Sequence, residues 1–139
     1  MGMKIICTIC SRNKDEAPGL VPAVKRYTGK HIPFAEALAK KSGPPLFFLS
    51  GKYGLISGQE NIPYYDYRLE EDRLGELVKI IVGQIRKNKI SEIEFYYEDK
   101  PSWVIYRRAI ESAAEEAGII LLNNKFLEPA LNSSTLNKS

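Results

Sequence analysis

The sequence predicts a single α/β domain, Rossmann-like and three-layered, around a mostly parallel sheet of about four strands. Three observations carry this. Short apolar runs of high β-propensity alternate with helix-periodic stretches along the chain. Two of those runs, Lys4–Ile9 and Leu46–Leu49, are apolar nearly throughout, as in strands covered on both faces. No stretch rich in Pro, Gly or Ser divides the 139 residues, an ordinary length for one domain.

The first strand is expected at Lys4–Ile9, followed by a polar loop from Cys10 to Leu20 that carries the turn signal Pro18-Gly19. Val21–Tyr27 reads as a short helix opened by Pro22. A second helix is expected to open at Pro33, a favourable first position, and to end at Gly43, with Lys40 and Lys41 in its last turn. Leu46–Leu49 is the second strand, and Ser50 to about Leu69 reads as a long loop rich in Gly and Tyr. Leu74, Leu77, Val78, Ile81 and Ile85 lie at helical spacing in a third helix over about Glu71–Lys87. Glu92–Tyr97 follows as a strand, Ser102–Ala117 as a fourth helix closed by Gly118, and Ile119–Leu122 as a last short strand. The domain is thus expected over residues 1–125, with a loosely held tail over 126–139.

Composition narrows the function classes. With 20 Lys+Arg against 17 Asp+Glu the net charge is +3. That permits an anionic ligand but lacks the dense basic face of a dedicated nucleic-acid binder. No apolar run approaches the roughly 20 residues that span a bilayer, and Ile5–Ile9 is too short for a signal-peptide core, so a cytoplasmic protein without membrane association is expected. Two cysteines, Cys7 and Cys10, cannot build a disulfide framework, and with one histidine they do not suit a closed zinc site. No metal and no cofactor is called for: Gly-x-Gly-x-x-Gly and Walker-type lysine motifs are missing from the sequence.

In open parallel sheets, ligands bind beyond the carboxyl ends of the strands. Two segments there stand out: Cys10-Ser11-Arg12-Asn13-Lys14 after the first strand, and Ser50-Gly51-Lys52-Tyr53-Gly54 after the second. Each places a hydroxyl beside the strand end and a lysine two or three residues later, the combination that holds a phosphate or carboxylate. Gly51 and Gly54 allow close backbone approach or positive φ. Ser, Asn, Lys and Gly are also what any polar turn contains. Tyr64, Tyr65 and Tyr67, with Tyr53 upstream, surround Asp66 and Arg68. They form either a stacking platform for a base or tyrosines that pin a loop to the sheet.

The order Cys10-Ser11-x-x-Lys14, Tyr27-Thr28-Gly29, Leu49-Ser50-Gly51-Lys52-Tyr53-Gly54-Leu55 and Pro63-Tyr64-Tyr65-Asp66 resembles an uncharacterised prokaryotic domain family. That family's pattern is Cys-Ser-x-x-Lys, Tyr-Thr-Gly, Leu-Ser-Ala-Lys-Tyr-Gly-Leu and Pro-Tyr-Asp, matched over about the first half of the chain. Gly51 stands where the family commonly has Ala. A weaker likeness extends to the core domain of archaeosine synthase and to the YaaA-type peroxide-stress proteins. The resemblance implies an active-site-like pocket of Ser11, Lys14, Ser50, Lys52, Tyr53 and Asp66, without implying a substrate.

Other chemistry is weaker. Cys7-x-x-Cys10 has redox spacing, but Cys7 lies within the strand rather than at a helix N-terminus. A Cys10–His31 dyad requires the fold to return His31 to the first loop. Lys100 and Trp103, at the start of the fourth helix, face the same sheet edge as the motif loops. The expected function is an enzyme acting on a nucleotide, nucleoside or modified base. Lys52, Asp66 and Tyr53 are its catalytic candidates, and Ser11, Arg12, Lys14, Ser50, Gly51 and Tyr65 its ligand-binding ones. The alternatives are a non-catalytic nucleic-acid-binding module and a small-ligand-binding subunit. The sequence leaves the oligomeric state open.

Overall fold

The computed structural model describes residues 2–126, so all of the expected tail beyond Phe126 lies outside the described residues. The chain forms β1 (Met3–Ile9), β2 (Val21–Pro22), α1 (Ala23–Arg26), α2 (His31–Ser42), β3 (Leu46–Ser50), β4 (Gly54–Ser57), β5 (Asn61–Ile62), α3 (Leu74–Lys87), β6 (Ile90–Tyr97), α4 (Val104–Ala117) and β7 (Ile120–Lys125). Five strands make one sheet in the order β4-β3-β1-β6-β7, and β2 pairs with β5 in a separate two-stranded ribbon. β3, β1, β6 and β7 are mutually parallel, while β4 runs antiparallel on the edge beside β3.

The run Ile5–Ile9 is buried without interruption because β1 is the central strand, flanked by β3 and β6. Side chains alternate across a pleated strand. Ile5, Cys7, Ile9, Leu49 and Leu55 pack with Leu77 and Ile81 of α3 and Ala109, Ile110 and Ala113 of α4. Phe48 and Ile56 belong to another cluster, with Ala23, Tyr27, Ile32 and Tyr65. The alanines of α4 let it lie close against α3, whose buried residues recur at helical spacing. Gly43 (φ 102°) and Gly118 (φ 71°) end α2 and α4 in conformations that side chains resist.

Several boundaries differ from the sequence reading. α2 begins at His31, two residues before Pro33; a proline in the first helical turn forfeits no hydrogen bond, so it does not mark the start uniquely. Val21–Pro22 pair with β5, which leaves α1 a single turn. The segment Ser50–Leu69 is not one long loop, because β3 turns back through Gly51-Lys52-Tyr53 into β4. The polar residues Asn123 to Lys125 extend β7: an edge strand needs only backbone pairing on one side, here with Phe95 to Tyr97.

This topology locates a crevice. From β1 the chain crosses through α2 to β3, and from β6 through α4 to β7 on the other side. The connections leave neighbouring strands in opposite directions, which opens a gap beyond the carboxyl ends of β1 and β6.

Candidate functional site

That gap is a cleft of about 720 Å³, bounded by Cys10–Asn13 after β1, Glu98–Lys100 after β6, Gly29–His31, Trp103, Lys125 and Phe126. His31 is its central polar group. Its Nε2 lies 2.7 Å from the Ile9 carbonyl oxygen, which can only accept, so Nε2 carries the hydrogen and Nδ1 is left as an acceptor. Burial pulls the imidazole pKa below its ordinary value, against the opposing pull of the Ile9 carbonyl and the Glu98 charge. The ring is therefore neutral at pH 7. The Trp103 ring packs edge-on against it at 4.9 Å, and Phe126 closes over its side at 6.4 Å.

Glu98 is buried at the end of β6, and its carboxylate accepts a hydrogen bond from the exposed Lys100 ammonium at 2.7 Å. Ser11 is buried as well, and its Oγ donates to the Asn13 carbonyl, which shapes the turn after β1. Gly29 passes directly over this pair: a Cβ there would stand 2.9 Å from Ser11 Oγ and 3.1 Å from His31 Nδ1. Arg12 and Lys30 are exposed and line the cleft.

A second polar cluster lies between the ends of β1 and β3. Ser50 Oγ accepts the amide hydrogens of Lys52 and Tyr53, each at 3.1 Å, and meets the Tyr65 hydroxyl at 3.0 Å. The Tyr65 hydroxyl in turn meets that of Tyr27. Lys14 Nζ stands over the Tyr65 ring at 4.6 Å, and Lys52 Nζ is 5.6 Å from the same ring. Tyr53 packs edge-on against Tyr65 at 5.1 Å. Burial pushes the Tyr27 and Tyr65 phenols well above the usual range, so both stay protonated. Burial also raises the Cys10 thiol, an effect the nearby Lys14 charge opposes.

The structure thus divides the residues singled out in the sequence. Ser11 and Arg12 border the cleft, whereas Lys14, Ser50, Lys52, Tyr53 and Tyr65 assemble in the second cluster. Gly51 is packed beneath it, where a Cβ would meet Leu69 Cβ at 3.0 Å. Asp66 is exposed and acts on Lys14 only through its charge. His31 does return to the end of β1, but its hydrogen bond goes to the Ile9 backbone, and burial keeps the Cys10 thiol protonated. Cys7 is fully buried within β1, away from any helix N-terminus.

Glu98 and Phe126 carried no sequence signal of their own. A rule could have found Glu98, since the residue after a central parallel strand faces the switch-point crevice. Among the described residues, no group of three or more His, Cys, Asp or Glu side chains is placed to hold a metal. No helix there is long and apolar enough to cross a membrane. No protein-family profile, curated protein or solved structure matches this chain.

Proposed function

We propose that this protein is a cytoplasmic enzyme of Rossmann-like, three-layer type acting on a nucleotide, nucleoside or modified base held beyond the ends of β1 and β6. One observation carries the reading: the switch-point cleft joins a buried carboxylate, a neutral imidazole acceptor and an indole in a volume of about 720 Å³. Small-molecule sites commonly enclose about 300–1,000 Å³ with a few convergent polar groups. A heterocyclic base offers a flat π-face and N–H donors at its edge, for which Trp103, Glu98 and His31 Nδ1 are suitable partners. Arg12, Lys30 and Lys100 supply positive charge for an anionic substituent.

In this reading the proton-transfer role expected of Asp66 or Tyr53 passes to His31. Its neutral Nδ1 can take a proton from a bound ligand, and the adjoining Glu98 charge favours the imidazolium that would form. Glycosyl-bond and base-modifying reactions both need such a transfer.

The test is calorimetric titration with a panel of nucleosides and nucleoside monophosphates, alongside a short oligonucleotide at several salt concentrations. A nucleoside or mononucleotide is expected to bind one-to-one, and Trp103→Ala or Glu98→Gln to weaken it at least about tenfold. A clear preference for the oligonucleotide, falling steeply with salt, would replace the enzyme by a nucleic-acid-binding module. No binding by either class would remove the reading.

A further inference from the structure

The second cluster sets two ammonium groups against one neighbouring carboxylate, the exposed Asp66, and holds one more hydroxyl proton than its hydroxyl oxygens accept. Ser50 Oγ has two lone pairs, and the Lys52 and Tyr53 amides occupy both. Its own hydrogen must therefore go to Tyr65, the third group in contact with it. Three hydroxyls then share two mutual hydrogen bonds, Ser50 to Tyr65 and Tyr65 with Tyr27. One phenolic hydrogen is left over, whichever way the tyrosine pair is oriented. Tyr27, Ser50 and Tyr65 are all more than nine-tenths buried, where an unmade hydrogen bond is costly. The Tyr65 hydroxyl also meets the Cys10 thiol, but sulfur is a weak acceptor and leaves the demand for a strong one in place.

Lys14 and Lys52 both bring their ammonium groups to the Tyr65 ring. Neither forms a salt bridge among the described residues, although seven such contacts occur elsewhere in them. Both lysines are carried on well-anchored backbone. Asn13 and Asp15 pair with the segment Arg26–Thr28 on either side of Lys14. Gln84 of α3 holds the Lys52 turn by bonds to Tyr53 O and Leu55 N. Burial lowers the Lys14 pKa, and an arriving anion would oppose that effect.

We infer that Lys14, Lys52 and the Tyr27–Tyr65 hydroxyl pair form a binding site for a phosphate group, separate from the cleft. A phosphate monoester carries about −1.5 to −2 charge at pH 7 and three acceptor oxygens, which matches two ammonium groups and one unclaimed hydroxyl hydrogen. A carboxylate has only two oxygens to offer these three donors. The site does not depend on what occupies the cleft. The two share only the β1 end, where Cys10 lines the cleft and also touches the tyrosine cluster.

The probe is inorganic phosphate, titrated into the full chain by calorimetry at low salt with sodium chloride as the control anion. Saturable binding is expected, weakened at least about tenfold by Lys14→Met and by Lys52→Met and several-fold by Tyr27→Phe. Trp103→Ala, which alters the cleft, is expected to leave it unchanged. Lys52 is exposed, so its variant decides the matter even if Lys14→Met proves unstable. Absence of saturable binding, wild-type affinity in Lys52→Met, or equal displacement by chloride would each overturn the site. Loss in Trp103→Ala with retention in Lys52→Met would also overturn it, by assigning the phosphate to the cleft. A nucleoside monophosphate that needs both Trp103 and Lys52 would show that one ligand spans the two regions. Phosphate binding without nucleoside binding would uphold this site while removing the reading of the cleft.

Discussion

His31 and Arg26 are the two polar side chains whose burial has the clearest consequences. The folded-state pKa of His31 lies below its ordinary 6.5 because burial disfavours the imidazolium. Below pH 6.5 the unfolded chain therefore binds a proton that the native state refuses. The stability associated with the neutral ring is fully present above that pH and is lost as pH falls toward the native value. Urea midpoints measured from pH 8 to pH 5 should decline over this interval, and His31→Gln should flatten the decline. Arg26 is fully buried and has no acidic partner among the described residues. Its guanidinium instead donates to the carbonyls of Asp15, Ala17, Gly19 and Ile62 at 2.7 to 3.1 Å. This fork ties the loop after β1 to β5. A lysine supplies a point charge that cannot span four acceptors, so Arg26→Lys should cost about 3 kcal/mol in urea denaturation.

Among the elements, the β3–β4 hairpin has most influence on the candidate chemistry. Gly54 opens β4 at φ 77°, and a Cβ there would stand 2.4 Å from Gln84 Oε1. Left-handed backbone and a blocked Cβ act together. Gly54→Ala should destabilise by about 1–3 kcal/mol, measured by thermal or urea unfolding. Gln84 spans from α3 to this turn, accepting from Leu55 N at 2.7 Å and donating to Tyr53 O at 3.0 Å. Gln84→Ala removes two hydrogen bonds and should cost about 1–2 kcal/mol. It should also weaken phosphate binding without touching either lysine, because the turn that presents Lys52 loses its support.

At the scale of the whole molecule, strand order decides where ligands can bind. The cleft exists because β1 and β6 are neighbours whose onward connections diverge. Its far wall is completed by Phe126, whose amide donates to Tyr97 O at 2.6 Å and whose ring packs near Tyr96 and His31. Phe126→Ala should cost about 3 kcal/mol and move the His31 pKa upward as water enters, which NMR titration of the imidazole would detect. The strands and helices with strong local patterns were legible from residues alone: Ile5–Ile9, Leu46–Leu49, and the 3.6-residue spacing of Leu77, Ile81 and Ile85 are local facts. So was the choice of Ser11, Lys14, Ser50 and Lys52 as polar groups at strand ends. Their separation into two regions was not legible, because it depends on which strands lie side by side, and pairing between distant segments leaves no local periodicity. β4 was hidden for a related reason: its Gly-rich approach has the composition of a loop, and only pairing with β3 makes it a strand. The sequence by itself determined the α/β class, the buried first strand and the polar segments that follow the first two strands of the parallel core. The tertiary structure alone brought His31 and Glu98 into one cleft and set two lysines over one tyrosine, since burial and charge proximity are properties of packed neighbours and not of chain order.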